Sequence, residues 1–332
     1  MSVTALKDRK AAKPHRVDAR AEMEKLNAEA AKLNVWLRTE LNEPSQRAWF
    51  TDTGGKFGGG KLLNKGRVSA NQLKSLPCHW KWKDYSAYLE RISDLAKDAE
   101  ISPIEFADRQ SILLVNPGLG GRLQITSTMR TAISVYVPTD KAPAHIHSAN
   151  ASRTILTDKG GYTNVEGERC ECKRGDIIWT PNGTWHDHGN DSSTPVMWID
   201  MLDWPLLEYL DASWVDMDYP SAAKTNDTIQ KTKHTDGYST RLYGAGGLKP
   251  TFVSHQRGWG QDPTPMIHFR GTDVRESLER LRKEEGDPFE GVQMQFVNPV
   301  TGLPIYRTMD YRAQLLRVGE ETQLKQIGRA HV

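Results

Sequence analysis

The chain has 332 residues and carries 44 Lys plus Arg against 42 Asp plus Glu, a formal net charge of +2. That balance argues against nucleic-acid binding by bulk electrostatics, which needs a clustered basic excess. The longest apolar runs, such as Ser111-Ile112-Leu113-Leu114-Val115, fall far short of the roughly 20 residues that span a bilayer, and three cysteines do not suggest a disulfide framework.

The N-terminus, Met1 to Lys10, lacks the apolar centre of a signal peptide, so a cytoplasmic location is expected. Ala19, Met23, Leu26, Ala30, Leu33 and Leu37 recur at three- and four-residue steps, which predicts an amphipathic helix over 18–41. Residues 42–80 are rich in Gly, Pro and Lys and read as a loop. Within it, Gly58-Gly59-Gly60-Lys61 has the wrong spacing for a phosphate loop, and Leu62 stands where a Ser or Thr would bind the metal. A second helix is predicted over 84–99. From about 111 the pattern changes to short β-rich runs separated by turn residues, at Ile112–Val115, Ala132–Val137, Arg153–Leu156, Ile177–Thr180 and Val196–Met201. Such spacing predicts an antiparallel sandwich or barrel. Residues 215–250 are polar and read as a linker, and Asp273–Glu285 reads as a charged helix.

A weak internal repeat adds to this. Val115-Asn116-Pro117 recurs as Val297-Asn298-Pro299, and Thr128-Met129 recurs as Thr308-Met309. An alternating apolar segment follows each, which predicts a duplicated β domain. The expected organisation is a helical extension and loop at 1–100, a metal-bearing β domain at 101–215, a linker with a short helix at 216–290, and the start of a second β domain at 291–325.

The chemistry concentrates in two short segments, Ala144-His145-Ile146-His147 and Thr184-Trp185-His186-Asp187-His188-Gly189-Asn190. Residues two apart on a strand share a face, so His145 and His147 can bind one ion, and a later His on another strand can complete the set. Three imidazoles suit a first-row metal and leave positions open for substrate. Gly175, Pro181, Gly183, His186 and Asn190 fit the second cupin motif at every fixed position. In the first motif His145 and His147 fit, but Thr139 occupies the Gly position. Ala151 or Ser152 stands where a Glu ligand is expected. Cys170 and Cys172 also alternate, but with only Cys78 elsewhere they read as structural.

Beyond the cupin motifs, Ala142 to His147, Arg153, Gly160-Gly161-Tyr162-Thr163, Val165 to Glu168, Gly175-Asp176, Thr184 to Asn190 and Trp198 to Leu206 together resemble the gentisate 1,2-dioxygenases. That group includes salicylate, nitrosalicylate and 1-hydroxy-2-naphthoate dioxygenases. The resemblance implies a mainly β bicupin of double-stranded β-helix barrels with N-terminal helices. It also implies Fe(II), held by His145, His147 and His186. The reaction implied is oxygenative cleavage of a small aromatic carboxylate with O2, between the carboxyl-bearing and hydroxyl-bearing carbons, with gentisate as the first expectation. Arg153 would bind the substrate carboxylate, His188 would serve as acid/base, and Arg109 would be a second carboxylate contact. A full-length parent would be a homotetramer, with no nucleic-acid or membrane partner. Departures include Ile146 where the family usually has Arg, and Ser134 where Gln is common. A non-enzymatic metal-binding cupin is the alternative of a different class; it predicts degraded ligand positions.

Aligning Met129 with Met309 places the end of the chain where the second cupin's ligand strand would begin. A C-terminal cupin cut short is therefore expected, with 326–332, ending Ile327-Gly328-Arg329-Ala330-His331-Val332, as a non-native tail.

Overall fold

Period-two alternation builds the centre of the molecule. Along 130–136, Ala132, Ser134 and Tyr136 share one face and Ile133 and Val135 the other. All five are buried in the computed structural model, so this strand has protein on both sides. The structure describes residues 16–38, 75–98, 110–217, 219, 233–253, 255 and 264–324. The Gly58–Lys61 segment, Arg109 and the 326–332 tail lie outside the described residues.

The strands are β1 (Val35–Arg38), β2 (Ser111–Leu114), β3 (Arg130–Tyr136), β4 (Lys141–His147), β5 (Ala151–Ile155), β6 (Lys159–Val165), β7 (Glu168–Lys173), β8 (Ile177–Thr180), β9 (His186–Gly189), β10 (Val196–Leu202), β11 (Val215–Asp216), β12 (His268–Phe269), β13 (Val292–Gln295) and β14 (Arg312–Leu315). The helices are α1 (Arg16–Ala30), α2 (Trp82–Asp98), α3 (Trp204–Tyr209), α4 (Tyr238–Tyr243) and α5 (Gly271–Arg280). A seven-stranded sheet in the order β1-β2-β3-β10-β5-β8-β12 faces a five-stranded sheet in the order β11-β4-β9-β6-β7. The pairings between its strands are antiparallel, and the architecture is mainly β with a cupin barrel at its centre.

The helix predicted over 18–41 is shorter than its apolar periodicity suggests. It ends at Ala30; Ala31–Leu33 tighten into a 3₁₀ turn, and Asn34 takes a left-handed conformation at φ 57°. Asn adopts that conformation more readily than most residues, so it can reverse the chain. Leu37, expected on the helix, lies in β1, where Asn27 brackets its backbone. The Asn27 amide donates to Leu37 O at 3.0 Å, and Leu37 N–H donates to Asn27 Oδ1 at 2.8 Å.

The N-terminal helices cover the outer face of the large sheet. Met23, Leu26 and Ala30 of α1 and Leu89 and Ile92 of α2 pack with Ile112, Ile133 and Val135 in one buried cluster. A second outer cluster sits at the other end, where Trp179 packs with Phe296, Ile305, Tyr306 and Met309. There the Tyr306 hydroxyl donates to Ala151 O at 2.6 Å. The 216–290 stretch also does more than link: β12 extends the large sheet beside β8, and Ser239 donates through N–H and Oγ to the buried Glu168, both at 2.9 Å.

The internal repeat is visible in backbone register. Leu113↔Ala132, Ile112↔Ile133 and Ser111↔Ser134 in the first hairpin correspond to Gln295↔Arg312, Met294↔Ala313 and Gln293↔Gln314 in the second. The two asparagines of the repeat make the same turn, each accepting from the N–H two residues on, Gly118 for Asn116 and Val300 for Asn298.

Candidate metal centre

Four histidines gather on the inner face of the smaller sheet. His145 and His147 are two apart on β4, and His186 and His188 are two apart on β9. The Cα register places His145 opposite His186, and all four side chains are buried. Ring centroids are 4.2 Å apart for His145 and His186, 4.7 Å for His147 and His186, and 5.9 Å for His145 and His147. His188 stands 5.4 Å from His186 and 5.6 Å from His145. Ring nitrogens of His145, His186 and His188 lie within 4.8 Å of one another, so His147 and His188 are rivals for the third place beside His145 and His186.

Hydrogen bonds at Nδ1 separate the rivals. His145 Nδ1 donates to Pro143 O, His147 Nδ1 to Ala149 O, and His186 Nδ1 to Thr184 O, each at 2.8 Å. A carbonyl can only accept, so in each neutral ring Nδ1 keeps the proton and Nε2 keeps its lone pair. That is the arrangement of a metal-ligating histidine held by a backbone carbonyl. His188 differs: its Nδ1 lies 3.1 Å from the Thr163 hydroxyl, which can donate or accept.

The donor set fits a cation. His186 Nε2 is buried and has no hydrogen-bond partner among the described residues, a cost that a bound metal would remove. Burial first, and then the positive potential of His145, His147, His188 and Arg153, hold the His186 imidazole well below its ordinary pKa and therefore neutral. Among the described residues, no carboxylate joins the set. Ala151 offers none at the expected Glu position, and Ser152 donates to the Tyr311 hydroxyl at 3.0 Å.

Arg153 reaches the barrel interior from the facing sheet. It is 3% exposed, and Nη1 donates to Thr180 Oγ1 at 3.0 Å. Its Nε lies 3.3 Å from Asp200 Oδ1, while Asp200 Oδ2 accepts from Ser134 Oγ at 2.7 Å and Trp198 Nε1 at 3.1 Å. Asp200 is thus the buried counter-charge of Arg153, a role that sequence reasoning did not assign. The signal was there, because Trp198 and Asp200 alternate within the segment that carries the family resemblance. Thr163 lies in another segment that carries the resemblance, Gly160 to Thr163.

The motif glycines have backbone reasons. Gly175 at φ 85° and Gly183 at φ 68° occupy left-handed turns that disfavour a side chain. Thr139 fills the Gly slot of the first motif yet keeps the same geometry, at φ 77°, with its N–H donating to Asn190 O at 2.8 Å. The slot survives; only its usual occupant has changed.

The cupin domain family model matches residues 132–202, which hold all four histidines and Arg153. A gentisate 1,2 dioxygenase 1 of Aquipseudomonas alcaligenes is 31% identical over 264 residues, covering 79% of this chain and 71% of that protein. This chain belongs to the gentisate 1,2-dioxygenase family. A family member from Ralstonia sp, a gentisate 1,2-dioxygenase, is also 31% identical over 249 residues; the match covers 75% of this chain and spans 64% of that relative's length. Among solved structures, the salicylate 1,2-dioxygenase of Pseudaminobacter salicylatoxidans matches with a TM-score of 0.57 and 26% identity, over 79% of this chain and 72% of that one. Among the described residues, no helix is long and apolar enough to cross a membrane.

Proposed function

We propose that this chain is the metal-bearing part of an Fe(II)-dependent dioxygenase. It would open a hydroxylated aromatic carboxylate between the carboxyl-bearing and hydroxyl-bearing carbons, with gentisate as the substrate. The observation that carries the reading is the shared design of His145, His147 and His186, each with Nδ1 tied to a backbone carbonyl beside a buried arginine on the facing sheet. In this reading those three histidines hold the iron. When bound, the iron supplies Lewis acidity and a route for electrons between the aromatic ring and O2. A non-enzymatic cupin is disfavoured because it would have no need to keep all three ligands together with a paired, buried arginine.

The rest is work for the protein's own groups. Asp200 and Thr180 fix the Arg153 guanidinium, and the planar fork then accepts a carboxylate through the Nη side. Holding the carboxylate fixes the ring of the substrate and presents its ortho hydroxyl to the histidines. His188, packed edge-on against Tyr136 and Trp198, accepts the hydroxyl proton at Nε2. His188 is fully buried beside Tyr136 and Trp198, which keeps bulk water from its ring.

Salicylate is the second reading, favoured by the similarity to the salicylate dioxygenase structure. Ser134 bears on the choice, because it stands where Gln is common in the family and its hydroxyl proton is committed to Asp200. The test is anaerobic Fe(II) loading followed by oxygen uptake on gentisate, salicylate, 5-aminosalicylate and 1-hydroxy-2-naphthoate. Fastest uptake with gentisate is expected. Uptake only with substrates lacking a 5-hydroxyl transfers the assignment to salicylate, and no uptake with any of them at full iron loading overturns the dioxygenase reading.

A further inference from the structure

We propose that Tyr306 is a positioning residue for Arg153, acting through the Ala151 carbonyl and the Thr180 hydroxyl. The role rests on the reading of Arg153 as the contact for the substrate carboxylate, and it gives the second repeat a part in the site of the first. The three residues before Arg153 each bond to the loop between β13 and β14. The Asn150 amide donates to Thr308 Oγ1 at 3.2 Å, the Ala151 carbonyl accepts from the Tyr306 hydroxyl at 2.6 Å, and Ser152 Oγ donates to the Tyr311 hydroxyl at 3.0 Å. Asp203 ties the end of this contact, because its carboxylate accepts from the Thr308 hydroxyl and from both the backbone N–H and the side-chain amide of Asn150. Tyr306 and Tyr311 are seated edge-on against Trp179, with ring centroids 5.7 and 4.7 Å away, and Trp179 of β8 is the Cα partner of Ser152. The loop therefore covers the outer face of β5 and β8 behind the arginine.

The Ala151 carbonyl carries the effect through the sheet. A carbonyl can only accept and a guanidinium can only donate, and the Thr180 hydroxyl stands between the two. Its direction is therefore fixed: it donates to Ala151 O at 3.3 Å and accepts from Arg153 Nη1 at 3.0 Å. Thr180 is also the Cα partner of Ala151, so the link crosses directly between paired strands. Tyr306 donates to the same carbonyl through the shorter bond and holds it in place for Thr180. Ala151, Arg153, Thr180 and Tyr306 are all buried, so water does not replace a lost partner. Asp200 meets the guanidinium at Nε, and the Thr180 bond at Nη1 sets the tilt of the fork about that contact. Tilt matters to a planar donor that must meet a planar carboxylate. Without the Tyr306 hydroxyl the carbonyl is free to move toward Thr180, and the guanidinium moves with its acceptor.

Tyr306→Phe removes the hydroxyl and keeps the ring on Trp179. The readout is binding without turnover. Gentisate, and hydroquinone as the same ring without the carboxylate, are titrated calorimetrically into the Fe(II)-loaded full chain under nitrogen. The ratio of the two affinities reports the carboxylate contacts and does not respond to a general loss of stability. Tyr306→Phe is expected to lower this ratio about 3- to 10-fold, by weakening gentisate and not hydroquinone. In an Arg153→Lys background the same change should move the ratio no further, because the effect runs through the guanidinium. A ratio that Tyr306→Phe leaves unchanged, or lowers equally in both backgrounds, would overturn the proposal. If Tyr306→Phe does not fold, Thr308→Val at the exposed end of the contact is expected to lower the ratio in the same direction through Asn150, and an unchanged ratio there overturns the proposal. A parent chain that binds gentisate no more tightly than hydroquinone would sink the carboxylate reading of Arg153 itself, and the role of Tyr306 with it.

Discussion

His145 and His186 stand opposite each other on β4 and β9, and their rings meet edge-on with centroids 4.2 Å apart. Two imidazoles this close in a buried site would repel if protonated and cannot bond each other when both Nδ1 protons go to carbonyls. A cation bound by both Nε2 lone pairs would satisfy them together.

The third ligand can be identified by substitution. His147→Ala should lose iron by metal analysis, because its Nδ1 is tied to a carbonyl in the same way as those of His145 and His186. His188→Ala should keep iron and lose turnover. The reverse pattern would make His188 the ligand and free His147 from the set.

Arg153→Lys keeps the charge but not the planar fork. It should raise KM for the carboxylate substrate and lower kcat/KM about 100-fold, with iron content unchanged. Arg153→Ala should in addition destabilise the fold by about 3–5 kcal/mol, since Asp200 is then a buried carboxylate without its cation. An unchanged KM in Arg153→Lys would remove Arg153 from the substrate site.

Thr139 invites a stabilising change. A β-branched residue at φ 77° costs roughly 1–2 kcal/mol, and glycine removes that strain at an entropic cost near 1 kcal/mol. Thr139→Gly should therefore raise stability by up to about 1 kcal/mol in a denaturant titration. A loss of stability would mean that the threonine side chain contributes more than its backbone costs.

How far the sequence discloses the site follows from what spacing encodes. The His-x-His pairs and the motif glycines depend on period two and on turns, both local, and they were legible along with the cupin class. The Arg153–Asp200 pair and the Thr163–His188 contact arise from register between strands distant in the chain, and no local pattern reports register. The end of α1 was misread for a related reason. Leu33 and Leu37 continue a helical period, but Asn34 turns the chain and β1 pairs with a strand some 75 residues later.

Away from the centre, His268 gives the fold a pH dependence. Burial alone would lower its pKa, but Asp176 at 2.9 Å and Asp236 at 3.5 Å raise it from 6.5 to about 12. The folded state thus keeps a proton that the unfolded chain releases above about 6.5, so this contribution is full below that value and is lost as pH rises toward 12. Stability should therefore fall steadily as pH rises over 7–10. His268→Gln should flatten the slope of stability against pH by one proton. An unchanged slope would show that His268 is neutral in the folded protein.

Iron held by His145, His147 and His186 would let this chain insert O2 into an aromatic ring. The most direct measurement is a single turnover of the Fe(II)-loaded protein with gentisate under ¹⁸O₂, read by mass spectrometry. The expected result is a ring-opened product four mass units heavier than the same product made under ¹⁶O₂. Unchanged gentisate at full iron occupancy, or a product carrying no ¹⁸O, would contradict it.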